Sequence, residues 1–367
     1  MKKILGFGIY GTGLVAPFHA KAIRGANGAR LVGFCGRNQE RREALANEYG
    51  GETFAQVEAM VACPDLDVLV VATPNHLHTD AVMAGIAAGK HVLVEKPPAM
   101  TLDKTDRMLD AADRAGVRFG CFVQSRVRRA ICAMKSAIDA ERFGRLLRTD
   151  VSMQWWRPPE YYRSAEWRGI ARYGAGVTVQ QAFHYIDLMQ HLAGAVTRVE
   201  ARLSNVAHPD IPFEDSVTGL FEYASGATGL IQASTGLWPG TDMRIEIYGT
   251  GGTAVMSGEK MVTWKFREER PEDAEIAGYG SAAQATGAGG AADFGYLDHQ
   301  TVVQDMVDAV HEGREVIIPA RTVRHTLEIV LAIYQSAANG VPVTLPIKDD
   351  PSVWDRLESM NREGRGK

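Results

Sequence analysis

The sequence predicts an α/β protein in two parts: a doubly wound parallel sheet at the N-terminus, then a larger α/β part built on a mostly antiparallel sheet. Three observations predict it. The 367 residues are too many for one ordinary core. The first third alternates short apolar runs with helix-like stretches, the order of parallel strands joined by crossover helices. Beyond about residue 122 apolar residues recur at every second position between Gly, Ser and Asp turns, as in antiparallel strands with one covered face. The expected division is 1–122 and 123–367.

Ile4 to Tyr10 reads as a buried strand. Gly11, Thr12, Gly13, Leu14, Val15 and Ala16 follow, and then the helix-like stretch PFHAKAIRGA, in which His19 caps or packs. This is the G-x-G-x-x-G/A turn of a Rossmann dinucleotide domain: Gly11 makes the tight turn, Gly13 lets the backbone approach a pyrophosphate, and Ala16 allows close helix packing. The helix N-terminus then faces the phosphates. A second strand, Ala29 to Gly36, leads into a charged helix. A third unit holds the strand Val68 to Ala72, the turn Thr73-Pro74-Asn75, a helix from about Thr79 to Ala88, and the strand His91-Val92-Leu93-Val94 that ends in Glu95-Lys96-Pro97-Pro98.

Right-handed crossovers put the C-terminal ends of such strands on one edge, so the turns after them should meet at one crevice. That groups Gly11, Thr12, Gly13, Leu14, Gly36, Arg37, Asn38, Arg41, Thr73, Pro74, Asn75, His78, Glu95 and Lys96 as the cofactor site, with His78 as a structural member. The acid that usually holds the ribose 2′-OH of NAD is missing after the second strand. Gly36 leaves room there for a 2′-phosphate and Arg37 can pair with it, which favours NADP over NAD; alternatively Arg37, Arg41 and Arg42 are the solvated face of the next helix.

In the second part, strand-like runs begin with LLRTDVSMQWW and end with GTAVMSG, and long helices are expected near Gln300–His311 and Thr322–Asn339. Ala277 to Gly295 is a mobile loop or a surface linker, and the tail from Asp349 reads as solvated. Read as one helix, Gln180, His184, Asp187 and His191 share a polar face, while Tyr185, Leu188, Met189 and Leu192 pack on the sheet. His184 reads as functional and His191 as a surface residue. The segment Trp155-Trp156-Arg157, with Tyr161, Tyr162, Trp167 and Arg168, combines rings that stack on sugar C–H faces with cations that take a carboxylate or phosphate. About half of these aromatics are expected in core or interface. Arg157, Tyr162, Gln180, Gln181, Lys96 and His184 are the expected substrate contacts.

Composition narrows the partners. Apolar content of 46% and charged content of 23% are ordinary for a soluble globular protein, and a net charge of −4 offers no electrostatic footprint for nucleic acid or an anionic membrane. No run approaches the ~18 apolar residues of a membrane span. The glycines of the first residues break up anything resembling a secretion leader. Cys35, Cys63, Cys121 and Cys132 have neither CxxC spacing nor a nearby His cluster, and read as reduced, mostly buried thiols of a cytoplasmic protein without a metal site.

The stretches GIYGTGLVAPFHAKAI, VVATPNHLHTDAVMAGIAAGKHVLVEKP, QWWRPPEYYRSAEWRG, GAGVTVQQAFHYIDL and TLEIVLAIYQSAANGVPVTLP together resemble the Gfo/Idh/MocA family of glucose–fructose oxidoreductases, inositol dehydrogenases and rhizopine-catabolism proteins, over nearly the whole chain. The resemblance implies a hydroxyl/keto oxidoreductase of sugars, cyclitols or their derivatives, with NADP(H) or NAD(H), assembling as a homodimer or homotetramer through the C-terminal sheet. It also implies that Lys96 is the active-site lysine and His184 the active-site histidine. Family members usually carry Asp or Asn four residues before that histidine and Gly two before; this chain has Gln180 and Ala182. Gln cannot ionise, so the base role falls to Lys96 alone, to another tautomer of His184, or to Asp187. With both residues present, His184 is expected as general acid/base and Lys96 as the group polarising the reacting oxygen. Two alternatives share the fold: a glycosidase using tightly bound NAD through transient oxidation, and a non-catalytic dinucleotide-sensing regulator.

Overall fold

The structure, a computed structural model, describes residues 2–174, 176–280, 295–348 and 352–357. Two compact units result: Met1–Val127 with Gly295–Arg324, and Arg128–Phe294 with His325–Lys367. A single cut after residue 122 differs from this division, because residues 295–324 return to the first unit.

The first unit carries six strands, β1 Leu5–Tyr10, β2 Ala29–Cys35, β3 Glu52–Phe54, β4 Val68–Val71, β5 His91–Glu95 and β6 Phe119–Phe122, in the order β3-β2-β1-β4-β5-β6. All five pairings are parallel. The central strands are apolar along their length because helices cover both faces of such a sheet; every residue of β4 is buried. The order reverses between β1 and β4, which opens the crevice of a doubly wound sheet at their C-terminal ends. The helix Ala16–Gly25 carries Pro17 in its first turn, where a missing N–H costs nothing. The next helix, Gln39–Tyr49, is capped by Asn38, whose side chain accepts from the Arg41 amide at 2.8 Å. Late in the chain, the helix Leu297–Glu312 joins this unit: Gln300 donates to the Gly25 carbonyl at 2.8 Å.

Among the described residues the second unit is built on eight strands, β7 Leu146–Gln154, β8 Val196–Ser204, β9 Ser216–Tyr223, β10 Thr228–Ser234, β11 Arg244–Gly249, β12 Gly252–Ser257, β13 Lys260–Phe266 and β14 Val343–Thr344. Their order is β13-β12-β11-β7-β10-β9-β8-β14. Only β7 and β10 pair in parallel. Along β9 burial alternates residue by residue, so one face is covered and the other is not. The helix Phe183–Ala193 covers it: a Cβ on Gly229 of β10 would sit 2.9 Å from the Met189 methyl.

Two expectations change here. The chain from Val177 to Ala193 is not one helix, since Val177–Gln180 and Phe183–Ala193 are separated by Gln181 and Ala182, with Gln181 at φ −118°. The tail is not solvated throughout: Val353, Trp354 and Leu357 are buried, and the Trp354 ring lies 5.0 Å from that of Tyr334. Residues 281–294 of the Gly/Ala-rich stretch lie outside the described residues. Of the four thiols, Cys35 and Cys121 are buried, Cys63 is half-buried and Cys132 is exposed. Among the described residues no helix is long and apolar enough to cross a membrane.

Candidate active site

The strand-end turns of the first unit do meet. Gly11 donates its amide to the Cys35 carbonyl at 2.9 Å, joining the turns after β1 and β2. Its φ of +128° and its approach to Ala72 demand glycine, because a Cβ would lie 2.2 Å from the Ala72 oxygen. Gly36 backs onto Thr12: a Cβ there would come within 3.0 Å of the Thr12 methyl. His78 has no exposed surface, and its nitrogens face the Thr73 and Pro97 carbonyls at 2.9 and 2.8 Å. Burial pushes this imidazole down, against the pull of the two carbonyls. It ties the turns after β4 and β5 together and offers no edge to a ligand, as a structural residue does.

Arg42 is buried, with its guanidinium on the Gly36 carbonyl, and is not part of a solvated face. Arg37 and Arg41 stay exposed. Arg37 stands near enough to the half-buried His76 to help burial push that imidazole down.

Two features fit the crevice to a dinucleotide. Among the described residues a Cβ on Gly13 would meet nothing within 4 Å, so the backbone there is open to close approach. The hydroxyl of Thr73 is buried with no hydrogen-bond partner among the described residues.

Glu95 ends β5 and Lys96 follows it, half-buried. One Glu95 oxygen lies 3.0 Å from His19 Nε2 and 3.9 Å from His299 Nε2, and the other accepts from the Lys96 backbone amide at 3.3 Å. Burial pushes this carboxyl up, but the His19 bond and the charges of His19, His299 and Lys96 outweigh it and bring it down to about 2. His19 therefore neither caps nor merely packs its helix. One ligand atom from each of His19, Glu95 and His299 falls within 4.8 Å of the others, a spacing that the sequence reading, which expected no metal site, did not anticipate.

In the second unit His184 stands in the first turn of its helix, half-buried between the buried Phe183 and Tyr185. The break at Gln181 removes the helical register between Gln180 and His184. Gln180 turns back onto the Gly174 carbonyl. Gln181 is buried and donates to the Tyr161 hydroxyl at 3.2 Å. Asp187 is fully buried, accepts from Thr326 at 2.7 Å, and is not part of an open polar stripe.

The aromatic segment is mostly interior. Tyr162 is buried against Ile211 and Phe213, and its hydroxyl shares a 2.6 Å bond with Thr235. Arg157 is 3% exposed, over the rings of Trp155 and Tyr161 at 5.0 and 5.8 Å. Both were expected to touch substrate, and both are buried. His208 ties this segment to Asp215, with Nδ1 on Asp215 at 2.9 Å and Nε2 on the Arg157 carbonyl at 2.7 Å. A carboxylate and a carbonyl both accept, so both ring nitrogens carry hydrogen. Burial opposes that charge, yet the two bonds raise the His208 pKa; burial also pushes Asp215 up, but the His208 bond and the Val206 and Ala207 amides outweigh it and bring it down. Sequence reasoning missed His208, Asp215 and His299. The one available signal was the acid pair Glu214-Asp215 just before β9, and it does not reveal its partners.

Residues 5–123 match the model of the GFO/IDH/MocA oxidoreductase family's NAD-binding Rossmann fold, and residues 131–255 match a GFO/IDH/MocA C-terminal domain. The chain is 34% identical over 247 residues to 1,5-anhydro-D-fructose reductase of Ensifer adhaerens, covering 66% of this chain and 72% of that protein. It is 29% identical over 262 residues to inositol 2-dehydrogenase of Rhizobium meliloti, covering 70% and 77%. Among solved structures, the WlbA dehydrogenase of Bordetella pertussis in complex with NADH and UDP-GlcNAcA superposes with a TM-score of 0.83 at 32% identity, over 95% of this chain and all of that one. A glycine turn opening a parallel sheet, a Glu-Lys-Pro strand end in its crevice and a mostly antiparallel second sheet thus go with matches along most of the chain, which belongs to the GFO/IDH/MocA family of NAD-binding oxidoreductases.

Proposed function

We propose that this chain interconverts a hydroxyl and a keto group on a sugar, cyclitol or sugar derivative, with His184 as general acid/base and Lys96 polarising the reacting oxygen. The observation that carries this reading is the meeting of the Gly11–Leu14, Gly36–Asn38, Thr73–Asn75 and Glu95–Pro97 turns around an open Gly13. The dinucleotide, when bound, supplies the hydride acceptor or donor. The Gly11–Leu14 backbone and the Thr73–Asn75 turn would hold it. His184 takes the hydroxyl proton as the carbinol becomes a carbonyl, a task suited to imidazole near neutral pH. The Lys96 ammonium stabilises negative charge on that oxygen while it develops. Neither Gln180, which does not ionise, nor Asp187, buried on Thr326, is available to do this in place of His184.

NADP(H) is the proposed form of the cofactor. The support is the end of β2, which has no acid and leaves Arg37 exposed to meet a 2′-phosphate. Relatives suggest the first substrates to try: UDP-linked sugar acids, 1,5-anhydrofructose and inositols. A homo-oligomer through the second sheet is proposed from the outward-facing Leu220 and Val262, 55% and 49% exposed.

The test is calorimetric titration of NADP⁺ and NAD⁺ into wild type and Arg37→Ala, followed by the substrate panel with Lys96→Met. We expect NADP⁺ preference lost with Arg37, and turnover lost with Lys96 at cofactor affinity within severalfold. Near-normal turnover by Lys96→Met refutes the lysine's role.

A further inference from the structure

Resting on the reading of His184 as general acid/base, we propose that Glu214 is a positioning residue: its carboxyl fixes the start of the short helix Val177–Gln180, and that helix sets where His184 stands. Glu214 lies just before β9 and is 2% exposed, so it acts through the segment it holds.

The link is a continuous chain of bonds within the second unit. One Glu214 side-chain oxygen accepts the Thr178 amide at 3.1 Å, and the Glu214 carbonyl accepts the Val177 amide at 3.2 Å. One residue thus takes two of the amides that a helix start leaves without an intrahelical partner. The Val177 carbonyl in turn accepts the amides of Gln181 and Ala182 at 3.0 and 2.8 Å. The Ala182 carbonyl accepts those of Tyr185 and Ile186, each at 2.9 Å. His184 sits within the turn that these last bonds close. The break at Gln181 frees it from a longer helix, so its place depends on how Val177–Gln180 is seated.

The carboxyl is itself held in one place. Tyr334, fully buried in the helix Ala320–Asn339, donates its hydroxyl to the same oxygen at 2.8 Å and packs on Trp354 with ring centroids 5.0 Å apart. Any other position of the carboxyl leaves the Tyr334 hydroxyl and the Thr178 amide without this acceptor, and unmade bonds of buried groups are costly. From the opposite side Gly176 closes on it: a Cβ there would sit 2.5 Å from both carboxyl oxygens. Asp215, the next acid along the chain, is taken up by His208 and by the Val206 and Ala207 amides and does not compete for Thr178. A general acid/base works only within hydrogen-bond reach of the reacting hydroxyl, and an ångström of misplacement can cost about a hundredfold in rate.

The test reads His184 directly. The protein is made with ¹³C-labelled histidine, and the ring signal of His184 is identified by its absence from His184→Gln. Wild type, Glu214→Ala, Glu214→Gln and Tyr334→Phe are compared, with melting curves, NADP⁺ affinity and turnover of the substrate panel. Losing the carboxyl in Glu214→Ala should move the His184 signal, lower kcat at least about tenfold, and leave KM and NADP⁺ affinity within severalfold. The ring signals of His78 and His91, which belong to the first unit, should stay in place. Glu214→Gln keeps an acceptor for Thr178 and Tyr334 and should restore both signal and kcat. A loss of stability alone would lower the melting temperature without moving the His184 signal of the folded protein. A signal that stays put in folded Glu214→Ala overturns the proposal, whether or not a substrate of the panel turns over. Should Glu214→Ala not fold, Tyr334→Phe decides, because it loosens the same oxygen: its His184 signal should move, and an unchanged one overturns the proposal. Failure of the His184 reading looks different: His184→Gln would turn over substrate at a near-normal rate, whatever Glu214 does.

Discussion

Tyr334 donates its hydroxyl to a Glu214 oxygen 2.8 Å away, and the two residues are 0% and 2% exposed. The same oxygen accepts the Thr178 amide at 3.1 Å, at the start of the short helix that leads to His184. Gly176, at φ +107°, lies against this carboxyl so closely that a Cβ would sit 2.5 Å from its oxygens. Burial outweighs the bonds from Tyr334 and Thr178 and pushes Glu214 up to about 7.

The sign of its effect on stability follows. A raised folded pKa means the native state holds a proton that the unfolded chain has released, so this stabilisation is complete below the ordinary carboxyl range and is lost as pH rises through about 7. Glu214→Gln keeps an acceptor without the charge. It should gain up to about 3 kcal/mol on wild type at pH 8 and almost nothing at pH 4. Urea denaturation at both pH values tests this, and a difference independent of pH would contradict it.

The two glycines of the first turn should separate cleanly. Gly11→Ala meets the Ala72 oxygen and a left-handed φ, so it should lower stability by about 2–3 kcal/mol. Gly13→Ala meets no atom of the described residues and should melt as wild type does, while dinucleotide affinity falls at least about tenfold as the methyl enters the phosphate's path. Melting curves and calorimetric titration read the two effects independently.

Tyr162→Phe removes one partner of a buried hydroxyl pair and leaves Thr235 unsatisfied. It should cost about 1–3 kcal/mol of stability without selectively weakening any substrate. A large KM effect at unchanged stability would restore Tyr162 to the binding surface.

His208 should matter most in acid. Its raised pKa gives stabilisation that is present below the ordinary imidazole range and disappears as pH climbs past the raised value. His208→Ala should therefore lose more stability at pH 6 than at pH 9, measured by denaturant unfolding. An equal loss at both would show that packing against Trp156 and Tyr162, rather than charge, is what the ring supplies.

Much of the crevice was legible because its signals are local. The spacing of Gly11, Gly13 and Ala16 and the run ending in Glu95-Lys96-Pro97 need only their immediate neighbours to be read, and parallel topology then gathers them at one edge. The break after Gln180 was not legible. Apolar periodicity continues across Gln181 and Ala182, and helix propensity differs too little among residues to show where tertiary contacts such as Glu214 to Thr178 start a separate turn.

What the amino-acid order determined alone is the layout: a dinucleotide-type parallel sheet, then alternating antiparallel strands, with Lys96 at a strand end and His184 on a helix. Only the folded chain decided which polar groups are buried and what they face. Arg157 and Tyr162 have the composition of a sugar pocket and of a core alike; the folded chain buries both, and the Asp215–His208–Arg157 chain of bonds ties down the backbone of Arg157. His299 reaches Glu95 because the helix Leu297–Glu312 returns to the first unit, a contact between residues far apart in sequence that no local pattern encodes. Desolvation and hydrogen bonding depend on the whole set of neighbours, so they set the protonation of Glu95, His208 and Glu214 only once the tertiary structure has formed.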